Sequence, residues 1–134
     1  MKVGHTVSVV MAVYNGGTFL KEQIDSILPQ LRKEDELIIS YDNSEDDTLK
    51  IIESYEISHD CVRVVQNSQK GVVSNFENGL REASNDIIFL SDQDDIWSPR
   101  KIEKMLACFA RNNVLVAIHD CSLIDEYGNE TYFP

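Results

Sequence analysis

A chain of 134 residues, 43% hydrophobic and 26% charged, has the length and composition of one globular domain able to bury a core. Its 23 acidic against 12 basic residues give a net charge of −11, which repels a polyphosphate backbone and excludes nucleic acid as a partner. The same charge repels any phosphate-bearing small ligand, unless a bound cation reverses the local potential.

In chain order, the run at 7–13 (VSVVMAV) is apolar and β-branched on both faces, as in a strand buried within a parallel sheet. It is too short for a signal-peptide core or a membrane span, so a cytosolic location is expected. Asn15-Gly16-Gly17 breaks the strand, and Thr18 is placed to cap a helix with Leu20, Ile24, Ile27, Leu28 and Leu31 at helical spacing. The unit then repeats. A strand at 37–39 leads to Ser44-Glu45-Asp46-Asp47, which opens a helix carrying Leu49, Ile52 and Tyr55. A strand at 62–65 precedes a helix over 73–83 with Phe76, Leu80 and Ala83 on one side. A strand at 87–90 is followed, after Pro99, by a helix with Ile102, Met105, Leu106 and Phe109 inward. A fifth apolar run at 114–118 follows Asn112-Asn113, and a turn at 126–129 leads into a strand-like segment at 130–133. This alternation predicts right-handed crossovers and an open, mostly parallel sheet covered on both faces. Cys61, Cys108 and Cys121 form no CxxC and are expected to be unpaired, again fitting a reducing compartment. His119-Asp120 reads as a strand-end polar pair.

Ligands of open sheets sit beyond the carboxyl ends of the strands, so the residues directly after each apolar run carry the information. These are Tyr14 and Asn15, then Asp42, then Lys70 and Gly71, then Asp92, Asp94 and Asp95. Three carboxylates in the four residues 92–95 repel one another, and a site that keeps them ionised usually holds a hard divalent cation, Mg2+ or Mn2+. The alternative is a solvated acidic loop before the next helix. Tyr14 offers a flat ring for a nucleobase, against simple packing. Asp42 offers an acceptor for a base N–H, while Glu45, Asp46 and Asp47 read as a helix-start cluster. Lys70 beside Gly71 offers a diphosphate contact, against an ordinary solvated lysine.

Together, VSVVMAVYN (7–15), YDNSEDDT (41–48) and FLSDQDDIW (89–97) resemble the inverting family 2 glycosyltransferases of the GT-A fold, and the last motif is similar to rhamnosyltransferase-like members. The resemblance runs from Thr6 to about Gly128 and implies a Rossmann-like α/β/α sandwich, truncated at its C-terminal end. Residues 1–134 would then be the nucleotide-sugar-binding part, with the acceptor-binding part and the catalytic base beyond residue 134. It further implies that Ala12 and Tyr14 border the base, Asp42 pairs with it, Asp92 and Gln93 lie near the ribose and diphosphate, and Asp94 holds the metal. NFENGL (75–80) resembles a segment that carries arginine before asparagine in relatives. Here Glu77 precedes Asn78, so Lys70 becomes the candidate phosphate contact. Ala12 stands where proline is common, and Tyr41 where an additional aspartate is common. The implied reaction is sugar transfer from a nucleoside diphosphate to a saccharide or lipid-linked acceptor hydroxyl in cell-surface polysaccharide synthesis, with the full protein peripheral to the inner membrane face. Two other doubly wound readings are an aspartyl phosphatase and a non-enzymatic acidic-pocket module. The first wants aspartates after the first strand, where Tyr14-Asn15 stand, and the second wants one after the third, where Gln66-Asn67 stand.

Overall fold

The computed structural model describes residues 4–111 and 113–132, which leaves Asn112 and the end of the expected strand-like segment, Phe133, outside the described residues. The chain divides into two compact units, Met1–Glu103 and Lys104–Pro134.

In the first unit, β1 (Val7–Val13), β2 (Glu36–Tyr41), β3 (Val62–Gln66) and β4 (Ile87–Ser91) form one parallel sheet in the order β3-β2-β1-β4. Every residue of β1 is buried, as its two-faced apolar pattern requires. Between the strands lie α1 (Leu20–Ile27), α2 (Thr48–Ser58) and α3 (Val72–Glu82).

Strand pairing shows which helix covers which face. Val10 pairs with Ile38 and with Leu90, so these three side chains share one face, and Ser8, Ser40 and Ile88 lie on it too. The α3 helix packs there: a Cβ at Gly79 would lie 2.6 Å from Val10 Cγ1 and 3.3 Å from Ser40 Cβ, and Asn78 Nδ2 donates to Ser40 Oγ at 2.9 Å. Met11 and Ser91 share the opposite face, where buried Gln23 of α1 donates to Ser91 Oγ at 2.8 Å. Helices therefore cover both sides of the sheet.

That cover is incomplete at β4, contrary to the sequence expectation. Ile88 and Leu90 remain 45% and 58% exposed, because α3 spans β1 and β2 and does not extend over the edge strand. Several smaller expectations are also corrected. Phe19, not Thr18, precedes the first helical residue, since the turn through Gly16 places both the Phe19 and Leu20 N–H groups on the Gly16 carbonyl. After α1 the chain tightens into a 3-10 turn (Leu28–Gln30) with Pro29 near its start, and Leu31 is extended. Leu49 is exposed and Thr48 takes the buried position in the first turn of α2. The inward face of α3 is Asn75 and Gly79 instead of Leu80, because the helix backbone itself lies on the sheet. The helix α4 (Lys101–Phe109) begins two residues after Pro99, with Ile102 buried and Met105, Leu106 and Phe109 half-buried.

The far end of the strands is closed by Asp35. Its carboxylate accepts the Val7 N–H at 2.9 Å and three N–H groups of Arg32, each at 2.9 Å. Burial alone would raise its pKa, but these donors outweigh it and hold Asp35 below the usual carboxylate range. A depressed native pKa adds stability that is complete above the unfolded value and is lost as pH falls through the native one. Asp35→Asn should therefore cost about 2 kcal/mol at pH 7. The gap to wild type should narrow as urea unfolding is repeated below about pH 4, and a pH-independent gap would contradict this account.

In the second unit, residues 113–122 have no regular secondary structure, and Leu115, Val116 and Ile118 are exposed. The His119-Asp120 pair accordingly ends no strand; His119 Nδ1 meets the Asp120 carbonyl at 2.8 Å. A short antiparallel hairpin, β5 (Leu123–Ile124) and β6 (Glu130–Thr131), turns about Asp125, which accepts the Tyr127 and Asn129 N–H groups at 2.9 Å. Gly128 supplies the positive φ, 84°, that the turn needs.

Candidate functional site

In the sheet, β1 lies between β2 and β4, so the loops that follow these strands meet beyond their carboxyl ends. A cavity of 470 Å³ lies at this end of the sheet, lined by Ala12 and Val13 of β1 and Tyr14 just after it, Asp42 directly after β2, Lys70 and Gly71 from the β3–α3 loop, and Asp92, Gln93 and Asp94 after β4. Val72 and Asn75 of α3 complete the wall. Residues some eighty positions apart in sequence thus converge, and Tyr14, Asp42 and Asp94 share one cavity.

Hydrogen bonds join the four loops. Asp42, 6% exposed, accepts Asn67 Nδ2 at 2.7 Å on one oxygen and the Gly71 N–H at 3.1 Å on the other, which ties the end of β2 to the start of α3. Each oxygen keeps a lone pair for a ligand donor. Between β1 and β2, Gly16 N–H donates to Thr48 Oγ1 at 2.9 Å and Gly17 N–H to Asp46 Oδ2 at 3.0 Å. Asp46 is held below the usual carboxylate range, first by the Thr48 hydroxyl. Asn15 does not line the cavity: its Oδ1 accepts the Glu45 N–H and its own N–H donates to Ser44 Oγ, so it fastens neighbouring loops. Between β1 and β4, Gln93 bonds both backbone groups of Tyr14, accepting its N–H at 2.9 Å and donating to its carbonyl at 3.0 Å.

The acidic loop is anchored at both ends. Ser91 is buried beneath Gln23, and Trp97, 4% exposed, packs its ring against Phe89 at 5.6 Å between centroids while its N–H donates to Ser26 Oγ. Lys101 Nζ lies 4.1 Å from the Trp97 ring centroid, a cation–π contact. Asp92, Asp94 and Asp95 are left exposed between these anchors. Loss of water around Asp92, then repulsion from Asp95 and Asp94, raises its pKa above the usual range. Such mutual repulsion is what a cation relieves. Among the described residues, no three His, Cys, Asp or Glu side chains are grouped to hold a metal by themselves.

Lys70 stands at the cavity with no ion pair among the described residues. Tyr14 is 52% exposed, so its ring is available at the rim. Val13, Val72 and Asn75 are the wall residues that sequence reasoning did not single out. Asn75 donates to the Val13 carbonyl at 3.1 Å and leaves a buried Oδ1 without a partner. The signal in the sequence was a polar residue on the inward side of α3, four positions before Gly79. Cys61, Cys108 and Cys121 are free thiols.

Comparison with known proteins agrees with this geometry. The family model described as Glycosyl transferase family 2 matches residues 8–132. The dTDP-rhamnosyl transferase RfbG of Shigella flexneri is 35% identical over 138 residues, a match covering 92% of this chain and 48% of RfbG. A mannosyltransferase from Pyrobaculum calidifontis, solved with GDP-Man and Mn2+, superposes with a TM-score of 0.76 at 20% identity, over 84% of this chain and 34% of its own. Glucosyl-3-phosphoglycerate synthase from Mycobacterium tuberculosis, solved with Mn2+, UDP and glucosyl-3-phosphoglycerate, superposes with a TM-score of 0.67 at 26% identity, over 81% of this chain and 40% of its own. The chain spans about half the length of the curated relatives it matches.

Proposed function

Because the chain belongs to glycosyl transferase family 2, we propose that it is the donor-binding part of an enzyme that moves a sugar from a nucleoside diphosphate to an acceptor hydroxyl, inverting the anomeric carbon. The observation that carries this reading is the convergence of Tyr14, Asp42 and Asp94 on one cavity at the carboxyl ends of the strands. Ala12 and Tyr14 flank the base, and Asp42 accepts a base N–H on its free lone pairs. Lys70 and the amide end of α3 at Gly71 offer positive charge to the diphosphate. Asp92 lies on the ribose and diphosphate side, and Asp94 is the protein ligand of a Mg2+ or Mn2+ ion. Support for the ion comes from the charge crowded at 92–95 and from the Mn2+ bound by the mycobacterial synthase.

When bound, the ion supplies neutralising charge to the departing diphosphate. In the transfer, the bond between the anomeric carbon and the diphosphate oxygen breaks and its electron pair leaves with the diphosphate. The acceptor oxygen forms the new bond from the opposite face and gives its proton to a carboxylate base, which we place outside these 134 residues together with the acceptor site. The acceptor is a saccharide or a lipid-linked saccharide of a cell-surface polysaccharide. We place the enzyme in the cytosol at the inner membrane face, which the three free thiols support. Among the described residues no helix is long and apolar enough to cross a membrane.

Thermal unfolding tests this reading. Manganese plus the matching nucleoside diphosphate at about a hundredfold excess over Kd should stabilise the chain by about 2.7 kcal/mol, a rise of several degrees in Tm. No shift with any common nucleoside diphosphate would overturn it.

A further inference from the structure

The ladder between β1 and β4 ends at the pair Met11 and Ser91, yet the loops that follow carry the two ligand-facing groups furthest apart in chemistry, the Tyr14 ring and the Asp92 and Asp94 carboxylates. No backbone pair joins Tyr14 to the acidic loop. The Gln93 side chain does so instead, accepting the Tyr14 N–H at 2.9 Å and donating to the Tyr14 carbonyl at 3.0 Å. One side chain thereby satisfies both backbone groups of Tyr14, three residues beyond Met11, where the ladder ends. A second observation shows how tightly the contact is fitted: a Cβ at Gly16 would stand 2.6 Å from Gln93 Oε1. The φ of Gly16 lies outside the left-handed region, so it is this approach, not backbone conformation, that a larger residue would disturb.

We infer that Gln93 is a positioning residue whose side chain bridges the loops beyond the ends of β1 and β4 and fixes the spacing between the base-stacking ring of Tyr14 and the metal-binding loop at Asp94. This builds on the donor-site reading above and reassigns Gln93 from contacting the nucleotide to holding its two subsites apart. A ligand that reaches from the ring to the carboxylates then meets both without ordering either loop, whereas a ligand that meets one subsite gains nothing from the link.

Two measurements on the 134-residue chain test this. Without ligand, hydrogen exchange at the Tyr14 amide should be about tenfold faster in Gln93→Leu, while Gln93→Glu, which keeps an acceptor of the same length, should retain the protection. With ligand, Gln93→Leu should weaken the Mn2+-nucleoside diphosphate by about tenfold and leave the free nucleoside within about twofold, by calorimetry. Gly16→Ala should reproduce both effects through the side chain it displaces, and the double variant should be no worse than either single one. Unchanged Tyr14 exchange in Gln93→Leu, an equal loss for nucleoside and diphosphate, or additive single variants would each overturn the inference. A wild-type chain that binds neither ligand would instead defeat the donor-site reading, and the exchange experiment would still decide the role of Gln93.

Discussion

Replacing Asp94 with asparagine will lower the affinity for a nucleoside diphosphate in the presence of Mn2+ by at least about tenfold, and will leave metal-free binding of the nucleoside within about twofold. The asymmetry follows from the placement of Asp94. It lies on the cavity wall in the exposed middle of a loop whose two ends are buried, so its removal disturbs no packing. Under the proposed donor-site reading, what it removes is one of the negative charges beside the ion, which the remaining aspartates and the phosphate oxygens must then hold alone. The loss should shrink when Mn2+ is raised, since a weakened metal site is filled by mass action. Calorimetric titration with and without Mn2+ checks this. Equal weakening in both conditions would mean that Asp94 acts on the fold or the base instead of a cation.

Gly79→Val should give the largest loss of stability, about 3 kcal/mol or more, or about 10 °C in Tm. The first added carbon alone would stand 2.6 Å from Val10 Cγ1 and 3.3 Å from Ser40 Cβ, and Val10 is fully buried in the central strand with no free space to rotate into. Gly79→Ala is the informative companion. Alanine gains about 1 kcal/mol of helix propensity over glycine, so the net cost should be smaller and still positive. Asn78 and Asn75 sit on the same helix and hold Ser40 and the Val13 carbonyl, so pushing α3 outward also moves one wall of the cavity. Donor binding should fall with stability in the valine variant, read by urea unfolding alongside nucleotide titration. A stabilised alanine variant would show that α3 does not rest its backbone on the sheet.

The fold was legible wherever apolar periodicity alone decides it. The run 7–13, apolar on both faces, is the central strand, and the positions after each strand form the cavity, because topology dictates where strand ends meet. Legibility failed where contact replaces hydrophobicity. The inward side of α3 is made by Asn75 and Gly79, residues a search for apolar stripes passes over. Leu80 fits the stripe and is left exposed at 36%. Asn15 and Gln93 look like ligand contacts from their positions. Asn15 lies off the cavity and fastens adjacent loops, whereas Gln93 lines it and also bonds the Tyr14 backbone, a partner 79 residues away that no spacing in the sequence reveals. The metal-binding expectation lies between these cases: the clustering of carboxylates is visible in sequence, while their orientation depends on the anchors Ser91 and Trp97.

The uncovered side of β4 has a bearing on how the chain behaves in concentrated solution. A border strand with two bare aliphatic side chains, and with no neighbour along its outer margin among the described residues, is a template on which another extended segment can add. The overall negative charge opposes such growth between identical molecules at low ionic strength, and added salt weakens that opposition while strengthening apolar adhesion. Colloidal stability and the proposed donor binding thereby fall to separate parts of the same sheet, one to its lateral margin and the other to its carboxyl end.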